Sequence, residues 1–103
     1  METALLNSKY DKHSIDFAVK ELRNGAVGIF PTDTVYGIGC NALNIDSLNN
    51  LYKIKHRDYN NPINILVSNI DMVHKFVKCI NPIEQELIEN FWPRALTIIF
   101  VWI

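Results

Sequence analysis

Ala26-Val27-Gly28-Ile29-Phe30-Pro31-Thr32-Asp33-Thr34-Val35-Tyr36-Gly37-Ile38-Gly39-Cys40 is the stretch that decides the fold. Its first five residues are a short apolar run with β-branched members. Pro31, which has no backbone N–H to give a sheet ladder, closes the run. This reads as a buried strand opening into a loop. In open α/β sheets, ligands collect outside the carboxyl ends of strands, which is where this loop begins. The hydroxyls of Thr32 and Thr34, with backbone amides exposed beside glycines, suit a carboxylate, a carbonyl or a phosphate.

Upstream, Ile15, Ala18, Val19 and Leu22 recur at helical spacing. Ser14 is placed to cap that helix, and Gly25 to end it in the left-handed conformation. Downstream, a second helix is expected from Asp46, with Leu48, Leu51 and Tyr52 on its inner face, fraying into Lys53-Ile54-Lys55-His56-Arg57. Asp58 to Pro62 is turn chemistry, and Ile63 to Val67 reads as another strand. Met72, Val73, Phe76, Val77 and Ile80 mark a third helix. Asn81 and Pro82 look like the cap and first position of a fourth, which runs to Pro93. Leu96 to Ile103 reads as a final strand. Strands separated by helices, with no repeat or linker, predict one layered α/β or α+β domain over residues 1–103.

The final strand is apolar enough to need cover on both faces. It is expected to be covered by a partner, to belong to a longer sequence, or to be a central strand that ends a small domain. Hydrophobic residues make up 49 % of the chain and charged residues 20 %, the profile of a folding domain and not of a disordered tail. The formal net charge of −1 creates no global field for nucleic acid or an anionic membrane, so anion binding must come from a local cluster. Cys40 and Cys79 form no CxxC and no zinc spacing, which fits a reduced, cytoplasmic protein. Met1 to Asp16 lacks a secretory signal pattern, and no apolar run reaches the roughly 20 residues that span a bilayer.

Gly37-Ile38-Gly39-Cys40-Asn41-Ala42 matches G-x-G-x-x-A, but a dinucleotide fold turns directly from strand through the glycines into helix. Here Pro31 and a polar stretch intervene, and no helix opens before Asp46. The basic cluster Lys53, Lys55, His56 and Arg57 carries more. In an extended segment Lys55 and Arg57 point the same way and offer a point charge and a planar fork to oxyanions. Equally, such residues in a last helical turn complement the helix dipole in water. Asp33 reads either as a general base or metal ligand, or as an Asx turn shaping the loop. His13, His56 and His74 have no ligand spacing. With no nucleophile–base pair and no paired carboxylates, no catalytic side chain is assigned, and catalysis would rest on positioning and charge stabilisation.

The residues from Phe30 to Cys40 resemble the P-T-[DE]-T-V-Y-G-[LI]-G-C loop of the YrdC-type threonylcarbamoyl-AMP synthase family. Leu51 to Arg57 resembles the helix leading to that family's K-x-R motif. Asn61-Pro62-Ile63 with Leu66-Val67 resembles its next segment, and Phe91-Trp92-Pro93-Arg94-Ala95-Leu96-Thr97 its F-W-P-G-P-L-T. The resemblance implies a YrdC-like twisted mixed sheet flanked by helices, of which this chain is the N-terminal part. It also implies condensation of L-threonine, bicarbonate and ATP, with magnesium, into threonylcarbamoyl-AMP and pyrophosphate, for N6-threonylcarbamoyladenosine in tRNA. Contacts with tRNA or double-stranded RNA and with tRNA-modification proteins would follow. By the same resemblance Thr32, Thr34 and Tyr36 form the threonine site, with Thr34 the direct contact, and Lys55, Arg57 and Asn61 hold ATP.

The sequence departs from the family pattern in three places. Asp58 follows the K-x-R arginine where proline is common, Arg94-Ala95 stands for Gly-Pro, and the family's S-x-N motif, which lies downstream of F-W-P-G-P-L-T, falls outside residues 1–103. Low activity is therefore expected of the chain alone. Threonine-dependent consumption of ATP separates a synthase from the other two readings, a noncatalytic nucleotide- or RNA-binding module and an inactive fragment.

Overall fold

Helix α1 (Lys12–Arg23) begins two residues before Ser14, because Asp11 takes the cap. Asp11 Oδ1 accepts the His13 N–H at 3.1 Å, and its Oδ2 accepts the Ser14 hydroxyl at 3.1 Å. A carboxylate serves better than serine here because its charge faces the positive end of the helix dipole. Ser14 thus supports the cap instead of forming it. The helix ends as the sequence predicts. Gly25 has φ +102°, its N–H bonds to the Leu22 carbonyl, and the Ala26 N–H reaches back to Glu21, each at 3.0–3.1 Å. This pair of bonds is a Schellman motif.

These elements belong to a computed structural model that describes residues 3–6, 11–32 and 34–100. The chain divides into two compact units, Met1–Pro62 and Ile63–Ile103. In the first, β1 (Gly28–Phe30) pairs antiparallel with β2 (Gly37–Gly39), with Ile29 opposite Ile38. β2 went unread in the sequence because glycine is depleted in strands. The structure supplies the reason for its glycines. A Cβ on Gly39 would lie 3.0 Å from Phe30 Cζ, and one on Gly37 3.6 Å from Phe30 Cε2. The Phe30 ring therefore crowds the space a side chain at Gly39 would take, whereas one at Gly37 would only touch it. The G-x-G pair serves as a seat for an aromatic ring and does not open a helix.

Helix α2 (Ile45–Ile54) is capped by Asn44, whose side chain accepts the Ser47 N–H at 3.1 Å. Ser47 is 1 % exposed and Leu51 2 %, so the inner face runs through Ser47 and Leu51. The Ser47 hydroxyl donates to the Gly25 carbonyl at 2.8 Å, fastening the first turn of α2 to the end of α1. A Cβ on Gly25 would meet Ser47 Oγ at 3.2 Å, so this glycine is required for closeness as well as for its φ.

The second unit contains α3 (Ile70–Val73) and α4 (Pro82–Phe91). α4 matches its sequence signal closely. Asn81 accepts the Glu84 N–H at 2.8 Å and Glu84 accepts the Asn81 N–H at 2.9 Å, a capping box with proline at the first turn. α3 is shorter than expected. After Val73 the chain continues through i→i−3 turns, with Lys75 N–H on Met72 and Phe76 N–H on Val73. Val73, Val77 and Ile88 are the buried apolar side chains of this unit among the described residues.

The strands expected over 63–67 and 96–103 are not found among the described residues; 101–103 lie outside them. Segments 63–67 and 96–100 meet by a side-chain bond, Asn64 Nδ2 to Thr97 Oγ1 at 3.3 Å, without a backbone ladder. An apolar β-branched run favours extension, but a ladder requires a neighbour that only tertiary context supplies. The sheet described is accordingly two-stranded and antiparallel, smaller than the mixed sheet expected. No helix among the described residues is long and apolar enough to cross a membrane.

The two left-handed helix ends give opposite predictions. Gly25→Ala introduces both strain and a clash and should lower stability by about 1–2 kcal/mol. His56 has φ +50° at the end of α2 with no glycine to relax it. His56→Gly should therefore raise stability by about 0.5–1 kcal/mol. Urea unfolding of both variants against the parent chain checks the pair.

Candidate functional site

The turn between β1 and β2 is organised by Thr32. Its Oγ1 donates to the Val35 carbonyl and accepts the Thr34 N–H at 3.3 Å. The Thr34 hydroxyl lies 3.3 Å from it. The two threonines nominated in the sequence are thus brought together, but with different duties. Thr32 closes the loop on itself, while Thr34 is exposed and keeps hydrogen-bonding capacity for a ligand. Tyr36 presents its side chain to solvent, 71 % exposed, just before β2. Asp33 lies outside the described residues.

The second group stands at the end of α2. Lys55 is the C-cap in the αR region, and His56 follows in the left-handed region. The His56 N–H bonds to Lys53 at 3.1 Å and the Arg57 N–H to Tyr52 at 3.0 Å, again the Schellman pattern. Lys55 and Arg57 therefore flank a sharp turn and are not the extended, same-side pair that alternation implies. Histidine is among the few residues other than glycine found at this conformation, and the motif gives no sequence signal without glycine.

Beyond the turn the chain folds back on the helix. The Arg57 guanidinium donates through Nη2 to the Pro62 carbonyl at 2.9 Å. The Tyr52 hydroxyl donates to the Asn61 carbonyl at 2.9 Å, and the Tyr52 and Tyr59 rings stack with centroids 4.8 Å apart. Asp58, unusual after a K-x-R motif, accepts the Asn60 N–H on Oδ1 at 2.9 Å, and its carbonyl accepts the Asn61 N–H. It forms an Asx turn that shapes the loop carrying Asn61. Arg57 and Asn61 so belong to one folded loop. Tyr52, read only as a core-facing residue in the sequence, is its anchor.

Arg94, the other departure, causes no left-handed strain, since His56 is the only non-glycine residue with positive φ among those described. Its N–H bonds to Phe91 at 3.0 Å, and the Trp92 indole N–H closes the turn on the Leu96 carbonyl at 2.9 Å. No group of three or more metal-ligating side chains occurs among the described residues. Burial pushes the Cys40 thiol up, disfavouring its thiolate.

Residues 20–101 match the model of the Sua5, YciO and YrdC family, described under telomere recombination. The chain belongs to that family. It is 38 % identical to a putative threonylcarbamoyl-AMP synthase of Methanocaldococcus jannaschii over 91 % of this chain and 45 % of that protein. It is 37 % identical to the threonylcarbamoyl-AMP synthase of Bacillus subtilis over 76 % of this chain and 22 % of the relative. The solved structure of a doubly substituted Sua5 from Pyrococcus abyssi superposes with a TM-score of 0.86 at 29 % identity, covering 90 % of this chain and 29 % of that one. The chain thus matches part of the Sua5 fold and spans less than half the length of these relatives. The sequence resemblance to YrdC-type proteins is borne out.

The two cysteines provide a check on the site's packing. Cys40 is half-buried and its thiol is pushed up, whereas Cys79 is exposed. Brief alkylation at pH 8 should label Cys79 several-fold faster than Cys40, with the difference lost in urea. Peptide mass spectrometry reads the ratio.

Proposed function

We propose that this chain carries the threonine loop and the nucleotide-phosphate site of a threonylcarbamoyl-AMP synthase. The observation that carries the reading is the K-x-R turn at the end of α2. There a family motif coincides with an arginine already fixed by its own loop. The relatives named above are threonylcarbamoyl-AMP synthases, one by putative assignment, which supports the same activity here.

In this reading the substrates are L-threonine, bicarbonate and ATP. Threonine's amine and bicarbonate give a carbamate with loss of water. A carbamate oxygen then attacks the α-phosphorus of ATP and pyrophosphate leaves. The Thr34 hydroxyl and the loop amides hold the amino acid, Tyr36 lines its site, and Thr32 keeps the loop in shape. Lys55 supplies a compact charge and Arg57 a planar fork to the phosphate oxygens, offsetting charge as it builds in the transition state. Asn61 adds a contact to the nucleotide. Magnesium would enter with ATP and offset phosphate charge, and no side chain is assigned to it. Product use in tRNA modification, with tRNA-modifying partner proteins in the cytoplasm, completes the reading.

Two measurements test it. Arg57→Ala should weaken ATP binding in the presence of magnesium by about ten-fold or more, the order of one charge-assisted contact. Equal binding by the parent chain and the variant would remove the K-x-R turn from the nucleotide site. Pyrophosphate release should require L-threonine and fall in Thr34→Val while Thr34→Ser retains it. Release that ignores threonine, or binding of ATP with no release at all, would favour a noncatalytic nucleotide-binding module.

A further inference from the structure

Tyr52 is the residue by which α2 grips the loop that follows it. Its backbone carbonyl accepts the Arg57 N–H at 3.0 Å, its hydroxyl donates to the Asn61 carbonyl at 2.9 Å, and its ring stacks on Tyr59 with planes 25° apart. The next carbonyl along the chain, that of Pro62, accepts the Arg57 guanidinium at 2.9 Å. One residue therefore meets both ends of the arginine, the backbone through its own carbonyl and the head group through its hydroxyl on the Asn61-Pro62 peptide.

We propose that Tyr52 is a positioning residue for polyphosphate binding, acting through Arg57. The inference rests on the nucleotide reading above and adds to it a residue outside the K-x-R motif. An arginine on a free surface loses much rotamer freedom when it closes on a ligand. Here one guanidinium N–H is spent on Pro62, which orients the plane in advance and leaves the other donors of the fork for phosphate oxygens. The Tyr52 hydroxyl holds the neighbouring Asn61 carbonyl, and so steadies that acceptor together with the Asn61 N–H bond to the Asp58 carbonyl. Tyr59 contributes the stacking surface and is itself mostly exposed, so it steadies the loop without serving as core.

The hydroxyl can be removed alone. Tyr52→Phe keeps the ring, the stack and the backbone bond that caps the helix, and loses only the bond to an exposed carbonyl. Affinities for ATP and for inorganic tripolyphosphate are measured for the parent chain, Tyr52→Phe, Arg57→Ala and the double variant, alongside thermal unfolding. The expected result is a loss of about five-fold for both ligands in Tyr52→Phe, the order that one neutral hydrogen bond controls. In the Arg57→Ala background the same change should have less than half that effect, because Tyr52 acts through the arginine. A merely structural role would give equal losses in both backgrounds, and that result overturns the proposal, as does unaltered binding by Tyr52→Phe. If Arg57→Ala itself leaves both affinities unchanged, the nucleotide reading fails and the proposal falls with it. A loss in Arg57→Ala but none in Tyr52→Phe overturns the proposal alone.

Discussion

The hydrogen bond from the buried Ser47 hydroxyl to the half-buried Gly25 carbonyl, 2.8 Å long, fixes where both halves of the candidate site start. Gly25 leads through Ala26 and Val27 into β1 and thence to the threonine loop, and Ser47 stands in the first turn of α2, whose C-terminal cap carries Lys55 and, just past it, Arg57. A buried hydroxyl deprived of its partner costs about 1–3 kcal/mol, so the bond constrains which residues can stand at either end. A side chain on Gly25 would press on Ser47 Oγ, and the glycine's φ of +102° suits no other residue well. The same glycine thus ends a helix, admits the serine and aims the strand.

Both helices of the first unit end by the same device with different residues. α1 uses glycine at the left-handed position, and α2 uses His56. The difference matters because the second end bears the proposed anion site. A histidine at φ +50° stores a small strain that the surrounding bonds must overcome, and those bonds are the contacts of Tyr52 and Arg57 with the returning loop. Strain of this order persists only where neighbouring interactions over-determine the conformation. The family-level departure at Asp58 fits the same arrangement, since its carboxylate shapes the loop through the Asn60 N–H.

Much of the candidate site was legible before the structure because it is built from local signals. The Thr32 to Tyr36 loop, the K-x-R cluster, Asn61, Gly25 and the Asn81-Pro82 cap are each read from residues a few positions apart. What escaped was non-local or depended on one atom. The Thr32 hydroxyl's internal bonds separate its duty from that of Thr34, and nothing in the string Thr-Asp-Thr distinguishes them. The turn at His56 broke the alternation argument for Lys55 and Arg57, because a helix end without glycine looks like an extended continuation. Tyr52 was placed on an apolar face by periodicity, which sees its ring and not its hydroxyl.

By itself the sequence determined the helices with strong caps and clear periodicity, the loop that follows β1 and the family to which the chain belongs. These depend on propensity and on side chains within a turn of each other, whose energies are nearly independent of the rest of the chain. Only the tertiary structure decided that glycines 37 and 39 form a strand against the Phe30 ring, and that segments 63–67 and 96–100 meet through Asn64 and Thr97 without a ladder. Each of those outcomes turns on which group arrives within bonding distance. A β ladder, a seated ring and a shared acceptor are properties of pairs of segments, and no single segment encodes its partner.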